Sequence, residues 1–417
     1  MHVIVIGGGI IGLSSAYYLR KSGHSVTVVD QNGFLPNCSY GNAGYVCPSH
    51  FIPLATPGIV KQGFRWMLNN QSPFYIQPRL DWELMKWGWH FIRSANRQHV
   101  EKSAIPLRDI ALFSQHLYEE WSKFPGFQFS YEQKGLLEIF QTSGALHHAE
   151  QTCSAAQSIG LQGTRILSKE ELQLMEPDVA IEALGALYFP GDAHLYPAQL
   201  IQNLKENLVA SKVQLLQSVQ VRGFECNDHT IQAIHTNRGI YSADAVVLAA
   251  GSWSPELTKQ LRLNMPLVPG RGYSISLDPS PYHFQRPIVL VEGRVALTPM
   301  AGKILRIGGT MEITSTHTPP NFKRVRGILQ SVHQFFPDIQ IPFPSEKDIW
   351  FGYRPCSADG LPYIGKTGKW KNLVIATGHA MIGLSLGAGT GKLVSELVNE
   401  EQTSVNLTAF SPDRFSK

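Results

Sequence analysis

Several absences bound what this chain can be. Its five cysteines (Cys38, Cys47, Cys153, Cys226 and Cys356) are odd in number and contain no CxxC pair. That argues against a disulfide framework and against a zinc site, so no metal is expected and a reducing compartment fits best. Only 16% of the residues are charged, the formal net charge is +4, and the lysines and arginines never gather into long runs, so nucleic acid is not an expected partner. No stretch reaches the roughly 18 uncharged apolar residues of a spanning helix. The N-terminus passes straight into the apolar run Val3 to Ile6, with no basic segment or cleavage site ahead of it, so no signal peptide is expected. These absences predict a cytoplasmic protein. There is no internal repeat and no low-complexity tract.

What is present reads as an ordinary globular enzyme. With 417 residues, 43% of them hydrophobic, the chain exceeds what one core usually organises, and two domains are expected. Met1 to Asp30 reads strand, glycine turn, helix, strand. Residues Cys38 to Pro57, rich in Pro, Gly, Ser and Asn, predict an ordered loop. Asp81 to Arg97 and Arg108 to Trp121 have helical spacing. Strand-like runs follow at Gly135 to Phe140 and Gly185 to Phe189, a helix at Ala198 to Val209, short strands from Val213 to Val221, and a meander. Ala245 to Ala250 is an unbroken apolar strand of the buried parallel kind. Gly272 to Leu277, Val289 to Leu297 and Ile304 to Met311 predict an antiparallel sheet, and Lys371 to Ala376 with Leu386 to Asn399 supply a last strand and helix. Dinucleotide-type segments near both ends and in the middle predict an α/β fold. A Rossmann-like domain (1–55, 145–184, 197–258 and 350–417) interleaves with an α+β substrate or cap domain on an antiparallel sheet (56–144, 185–196 and 259–349).

Three segments carry chemistry. Gly7, Gly9 and Gly12 form GxGxxG between strand and helix, where absent side chains let a pyrophosphate approach the helix N-terminus at Ile10 and Ile11. Asp30 ends the second strand, placed to accept hydrogen bonds from ribose hydroxyls. That unit alone leaves FAD and NAD open. The strand Ala245 to Ala250 then runs into a turn at Gly251. A second buried strand gives way at Gly378 and His379 to a glycine-punctuated helix start, through Met381, Ile382 and Gly383. A helix dipole there would stabilise the negative charge of a reduced flavin, which a NAD enzyme does not need.

On GGGIIG, SYGNAGYVCPSHFIPLATPG, GYSIS, GGTMEI, FGYRPCSADGLPYIG and TGHAMIGLSLGAGTG, the chain resembles, over nearly its whole length, the D-amino acid dehydrogenase branch of the glycine oxidase and D-amino acid oxidase family. The resemblance implies FAD, held non-covalently. It assigns Ser39, Asn42, Ala43 and Gly44 to the isoalloxazine-side loop, Gly378, His379 and Gly383 to the C-terminal flavin motif, and Arg354 to the substrate carboxylate. Independently, the planar fork of Arg354 between Tyr353 and Pro355 suits a bidentate carboxylate, the alternative being a structural ion pair. Tyr273, His379 and Arg294 complete the expected substrate contacts. Arg294 or Val295 stands where relatives carry a substrate-contacting tyrosine, and Ala358 replaces a proline common in the family's turn. The activity implied is hydride transfer from the Cα of a D-amino acid, cyclic ones such as D-proline or cis-4-hydroxy-D-proline included, to flavin N5. A quinone or another carrier would reoxidise the flavin. The same scaffold would serve a 2-hydroxy acid, and a non-catalytic dinucleotide-binding subunit is the reading of a different class.

Other residues pull less firmly. Cys356 reads as a buried or idle thiol rather than a flavin attachment, and His379 as positional rather than a general base. Trp66, Trp82, Trp87 and Trp89 share a stretch with Lys61, Arg65, Arg79, Lys86 and Arg93. That mixture suits a peripheral contact with the inner face of the plasma membrane, or cap-domain packing with solvated charges. Oligomeric state is open, a homo-oligomer included.

Overall fold

The computed structural model describes residues 1–34, 37–59, 63 and 73–416. The chain opens with β1 (His2–Ile6), α1 (Ile10–Lys21), β2 (Ser25–Asp30), β3 (Tyr45–Val46) and β4 (Phe74–Ile76). Two helices follow, α2 (Trp82–Ser94) and α3 (Arg97–Ser122), then β5 (Leu136–Phe140), α4 (Ser143–Ser158), β6 (Arg165–Ser168) and α5 (Lys169–Met175). Next come β7 (Gly185–Phe189), β8 (Ala193–His194), α6 (Pro197–Ala210), β9 (Gln214–Gln217), β10 (Val221–Asn227), β11 (Thr230–Thr236), β12 (Gly239–Ser242), β13 (Ala245–Leu248) and α7 (Ser254–Gln260). The last third holds β14 (Leu267–Leu277), β15 (Ile288–Leu290), β16 (Val295–Met300), β17 (Ile304–Ile313), α8 (Arg324–Phe335), β18 (Trp350–Ser357), β19 (Tyr363–Lys366), β20 (Leu373–Thr377) and α9 (Gly387–Val398).

Six strands make the first sheet, in the order β19-β20-β13-β1-β2-β9, all pairs parallel except the β19 edge. Period-two alternation in β1 explains why it lies at the centre. Val3 and Val5 pack with α1, α6 and α9 on one face, and Ile4 and Ile6 pack with Ile231 and Ile234 of the β10–β12 meander on the other. A strand buried on both faces needs an unbroken apolar run, and this one has it. α1 and α9 pack so closely that a Cβ on Gly391 would stand 2.5 Å from the carbonyl carbon of Ser14.

The second sheet has nine strands, running β18-β14-β17-β16-β15-β5-β7-β6 with β4 beside β17. It is mostly antiparallel, but β15 runs parallel to β5 and β4 to β17. Its register sorts side chains by row. Leu137, Ile288, Leu297, Ile307 and Ile275 lie opposite one another and pack on α8. One residue along, Glu138, Val289, Ala296, Gly308, Ser274 and Trp350 form a row on the other face, and all six line a cavity between the two sheets. Arg165–Ser168 and Trp350–Ser357, read from the sequence into the flavin part, run in this sheet.

Several boundaries differ from the sequence reading. Val289 to Leu297 is two strands, because the chain turns between them with Arg294 at φ 48°. The strand region near Val213 breaks at Ser218, φ 54°. The helix read from Arg108 begins earlier, at Arg97, capped by Asn96, whose side chain accepts from the amide of His99 at 2.9 Å, and it runs through Pro106. The Trp-rich stretch divides. Trp87 is buried, stacks on Phe91 at 4.8 Å and donates from Nε1 to the Cys356 carbonyl at 3.0 Å. Trp82 and Trp89 are 72% and 54% exposed, beside exposed Met85 and Ile92 on α2. Trp66, Lys61 and Arg65 lie outside the described residues. Among the described residues, no helix is long and apolar enough to cross a membrane.

A buried charge cluster ties β14, β17 and α8 together. Glu312 accepts from Arg271 Nε at 3.0 Å and from the Tyr273 hydroxyl at 3.0 Å, and its carboxylate stands 2.9 Å from Arg271 Nη2 and 3.5 Å from Arg324 Nε. Removing one partner of a buried pair leaves uncompensated charge, costing about 3–5 kcal/mol. Glu312→Gln is therefore expected to lower unfolding stability by about that amount in denaturant titration. A loss under about 1 kcal/mol would show that the cluster is not a stabilising unit.

Candidate active site

The cavity measures about 1330 Å³ and reaches from the β1–α1 turn to the face of the nine-stranded sheet. At its first end, Gly7 adopts φ 114°, and a Cβ there would lie 2.3 Å from the Ala249 carbonyl oxygen. Only glycine lets the turn lie against the end of β13 in this way. Gly12 allows α1 to close on the Gly7 carbonyl, which a Cβ would meet at 1.8 Å. The helix N-terminus at Ile10 and Ile11 thus faces the cavity, a place where backbone N–H groups and the helix dipole favour a pyrophosphate. Ser39 Oγ accepts from the Ile10 amide at 3.1 Å. Asp30 lies where the sequence placed it, on the cavity wall, and its carboxylate accepts from the amides of Gly8 (2.8 Å), Asn32 (2.8 Å) and Gly33 (3.1 Å). The acceptor that would meet a ribose also rigidifies the turn.

The loop read as flavin-facing is held from behind by a residue the sequence reading did not single out. Arg306, nearly buried on β17, donates through Nη1 to the carbonyls of Tyr40 (2.9 Å) and Asn42 (3.1 Å), and through Nε to Ser276 Oγ at 3.2 Å. Ser274 Oγ donates to the Gly41 carbonyl at 3.1 Å. Ser39, Asn42 and Ala43 therefore line the cavity. Gly44 sits behind them at φ 84° against the Leu195 carbonyl. Gly251, His379, Met381, Ile382 and Gly383 also line the cavity, whereas Gly12, Gly44 and Gly378 serve close backbone approach outside it. The last helix starts at Gly387, and a short 3₁₀ turn, Ala380–Ile382, carries the motif instead. His379 is buried, its Nε2 lies 3.1 Å from Thr390 Oγ1, and burial pushes its pKa down to about 3. The ring therefore stays neutral at working pH and faces a hydroxyl.

Arg354 lies at the other end. From β18 its guanidinium stretches over Gly272 of β14, whose added Cβ would stand 2.2 Å from Nη1, and Nη1 donates to the Thr310 carbonyl at 2.6 Å. Among the described residues it forms no ion pair, unlike Arg271, Arg324 and Arg414, each of which holds a carboxylate. Arg354 is a cation that opens onto the cavity, with room for an anion. Gly272 is the second residue missed by sequence reasoning. Its signal was present in the glycine of GRGYSIS, which weakens a strand unless something must pass close by.

The other two expected substrate contacts, Tyr273 and Arg294, both line the cavity. The Tyr273 ring reaches the cavity wall, but its hydroxyl is engaged away from it, donating to Glu312 and accepting from the Asn321 amide at 2.8 Å. Arg294 opens onto the cavity facing Glu138, whose carboxyl burial pushes up to about 7 against the pull of Arg294. Glu138 was also missed, although a lone acid inside the apolar strand LLEIF breaks its local pattern. Cys356 is fully buried and its thiol is pushed up to about 12 by that burial, which makes it inert.

Residues 2–397 match the FAD dependent oxidoreductase family. The chain belongs to that family. Among its relatives are D-amino acid dehydrogenases from Vibrio vulnificus, 31% identical with 97% of both chains covered, and from Granulibacter bethesdensis, 30% identical with 100% of both covered. The fold is that of glycine oxidase from Geobacillus kaustophilus (TM-score 0.79, 24% identity, 99% of this chain and 98% of that one). L-proline dehydrogenase from P. horikoshii is similar too (TM-score 0.76, 19% identity, 100% and 97%). In this FAD-dependent oxidoreductase, the Gly7 to Ile11 turn, Asp30 and the loop that Arg306 braces lie together along the cavity wall.

Because Gly272 makes room for Arg354, Gly272→Ala should displace the guanidinium while sparing the flavin end. The expected result is a full flavin content with at least about tenfold weaker binding of a small carboxylate ligand, followed by flavin spectral perturbation. Unaltered carboxylate affinity would refute the coupling.

Proposed function

We propose that this enzyme oxidises a D-amino acid, cyclic ones such as D-proline or cis-4-hydroxy-D-proline included, to the imino acid with non-covalently held FAD. The observation that carries this reading is Arg354, a cation open to the cavity with a main-chain carbonyl for its partner. The names of the full-length relatives support the substrate class. FAD, when bound, supplies the two-electron acceptor for the hydride on Cα. Arg354 holds the carboxylate through its planar fork and so fixes which bond of Cα faces inward. The walls at Val289, Ala296 and Leu384 keep water from the reacting carbon. His379, neutral, keeps the C-terminal turn in place. A ring substrate would leave as a cyclic imine, and an open one would hydrolyse to a keto acid and ammonium.

Arg354→Leu is expected to raise KM by about 10- to 100-fold, the worth of charge-assisted hydrogen bonds, with flavin still bound. Unchanged KM would sink the assignment. The class itself is tested by anaerobic bleaching of the flavin band with D- and L-amino acids, D-proline, cis-4-hydroxy-D-proline and 2-hydroxy acids. Rapid bleaching by a D-amino acid fits the proposal. Bleaching by 2-hydroxy acids alone, or by nothing in the panel, overturns it.

A membrane quinone suits a dehydrogenase as the electron acceptor, and the exposed face of α2 (Trp82, Met85, Trp89 and Ile92), with Arg93 4.5 Å above the Trp89 ring, offers the surface for it. Anionic vesicles at low salt should sediment the enzyme, and Trp82→Ser with Trp89→Ser should abolish this. Failure of the wild type to co-sediment would count against the contact.

A further inference from the structure

The short pair β3 and β8 brings together three side chains that no sequence pattern linked. Its antiparallel register sets Tyr45 against His194 and Val46 against Ala193, so the next step places Cys47 opposite Asp192. The chain then turns at Cys47-Pro48-Ser49-His50, closed by the His50 amide donating to the Cys47 carbonyl at 3.1 Å. The outcome is that one donor atom each from Cys47, His50 and Asp192 lies within 4.8 Å of the other two. Cys47 and Asp192 are buried and His50 lines the cavity. The scattered cysteines argued against a zinc site because no CxxC was present, and the strand register supplies what the spacing did not.

We propose that Cys47, His50 and Asp192 bind a single divalent transition metal ion, of which Zn²⁺ is the best match. Thiolate, imidazole and carboxylate together are the donor set zinc takes, and Cys-x-x-His is a ligand spacing that a tight turn delivers. Tetrahedral zinc holds such atoms roughly 3.3–3.8 Å apart, so the donors need only draw in slightly. His50 lines the cavity, and water from that side would complete the coordination. Supporting bonds orient the ligands as second-layer partners do at metal sites. Ser49 donates from its hydroxyl to Asp192 Oδ2 at 2.5 Å and from its amide to Oδ1 at 3.2 Å, the Cys47 amide donates to Ser385 Oγ at 2.7 Å, and the Gly135 amide anchors the Asp192 carbonyl at 2.9 Å. Binding breaks the Cys47 S–H bond and forms a metal–sulfur bond. The thiol proton, and that of Asp192 where it carries one, passes to solvent, and nothing is oxidised or reduced.

The test uses the flavin-loaded protein, stripped with chelator and titrated with Zn²⁺ against a chromophoric competitor, and with Co²⁺ read by its ligand-field absorption beyond the flavin band. The expected result is one metal per flavin, with at least tenfold weaker binding in Cys47→Ala and in Asp192→Asn. Cys226→Ala, which alters the exposed cysteine on β10, should bind as the wild type does. Flavin content reports whether each variant folds, and if Asp192→Asn loses flavin, Cys47→Ala decides, since it removes only the sulfur. Less than one equivalent bound, or the same affinity in Cys47→Ala, overturns the site. The readout is metal, not turnover, so it stands or falls apart from the substrate.

Discussion

β14 hydrogen-bonds to β17 on one side and to β18 on the other, and this double pairing positions the arginines that border the cavity on the side of the nine-stranded sheet. Through β18 it lays Arg354 across Gly272. Through β17 it carries Arg306, whose bonds to the Tyr40 and Asn42 carbonyls hold the loop that borders the flavin end. A shift of β14 by one residue would turn Ser274 onto the α8 face and put Ile275 into the cavity, and a shift of β18 would take Trp350 out of the cavity row. The apolar face against α8 makes that slip costly, so burial on one side of the sheet fixes chemistry on the other.

The arginines of this sheet and of the helix packed on it divide by what surrounds them. Arg271 and Arg324 share the buried carboxylate of Glu312, and Arg306 meets carbonyl oxygens and a hydroxyl. Arg354 meets one carbonyl and opens onto the cavity. A guanidinium carries five donors in a rigid fork, so neighbours that use several of them make a brace, and neighbours that use one leave the remaining donors to the cavity. The difference lies in the neighbours rather than in the residue.

The flavin end was legible because its signals are local. GGGIIG, the apolar strand before it and Asp30 after it lie within one short unit, and backbone conformation, helix start and strand burial there follow from neighbouring residues. The strand ending at Ala250 and the turn at Gly378 were legible for the same reason. Arg354 was singled out through its motif, and it lines the cavity. Arg306, Gly272 and Glu138 were not found, since each matters through a partner far away in sequence: Tyr40, Arg354 and Arg294. The Tyr273 hydroxyl went astray likewise, drawn off by Glu312 on the neighbouring strand.

The sequence by itself determined the dinucleotide unit, the alternation of buried strands and the family, because glycine placement and hydrophobic period act over a few residues. Only the tertiary structure decided which arginine stays open, which glycine it needs, and that Cys47, His50 and Asp192 meet. Those outcomes depend on strand register, and register is set by the packing of whole sheet faces, which no short stretch of chain encodes.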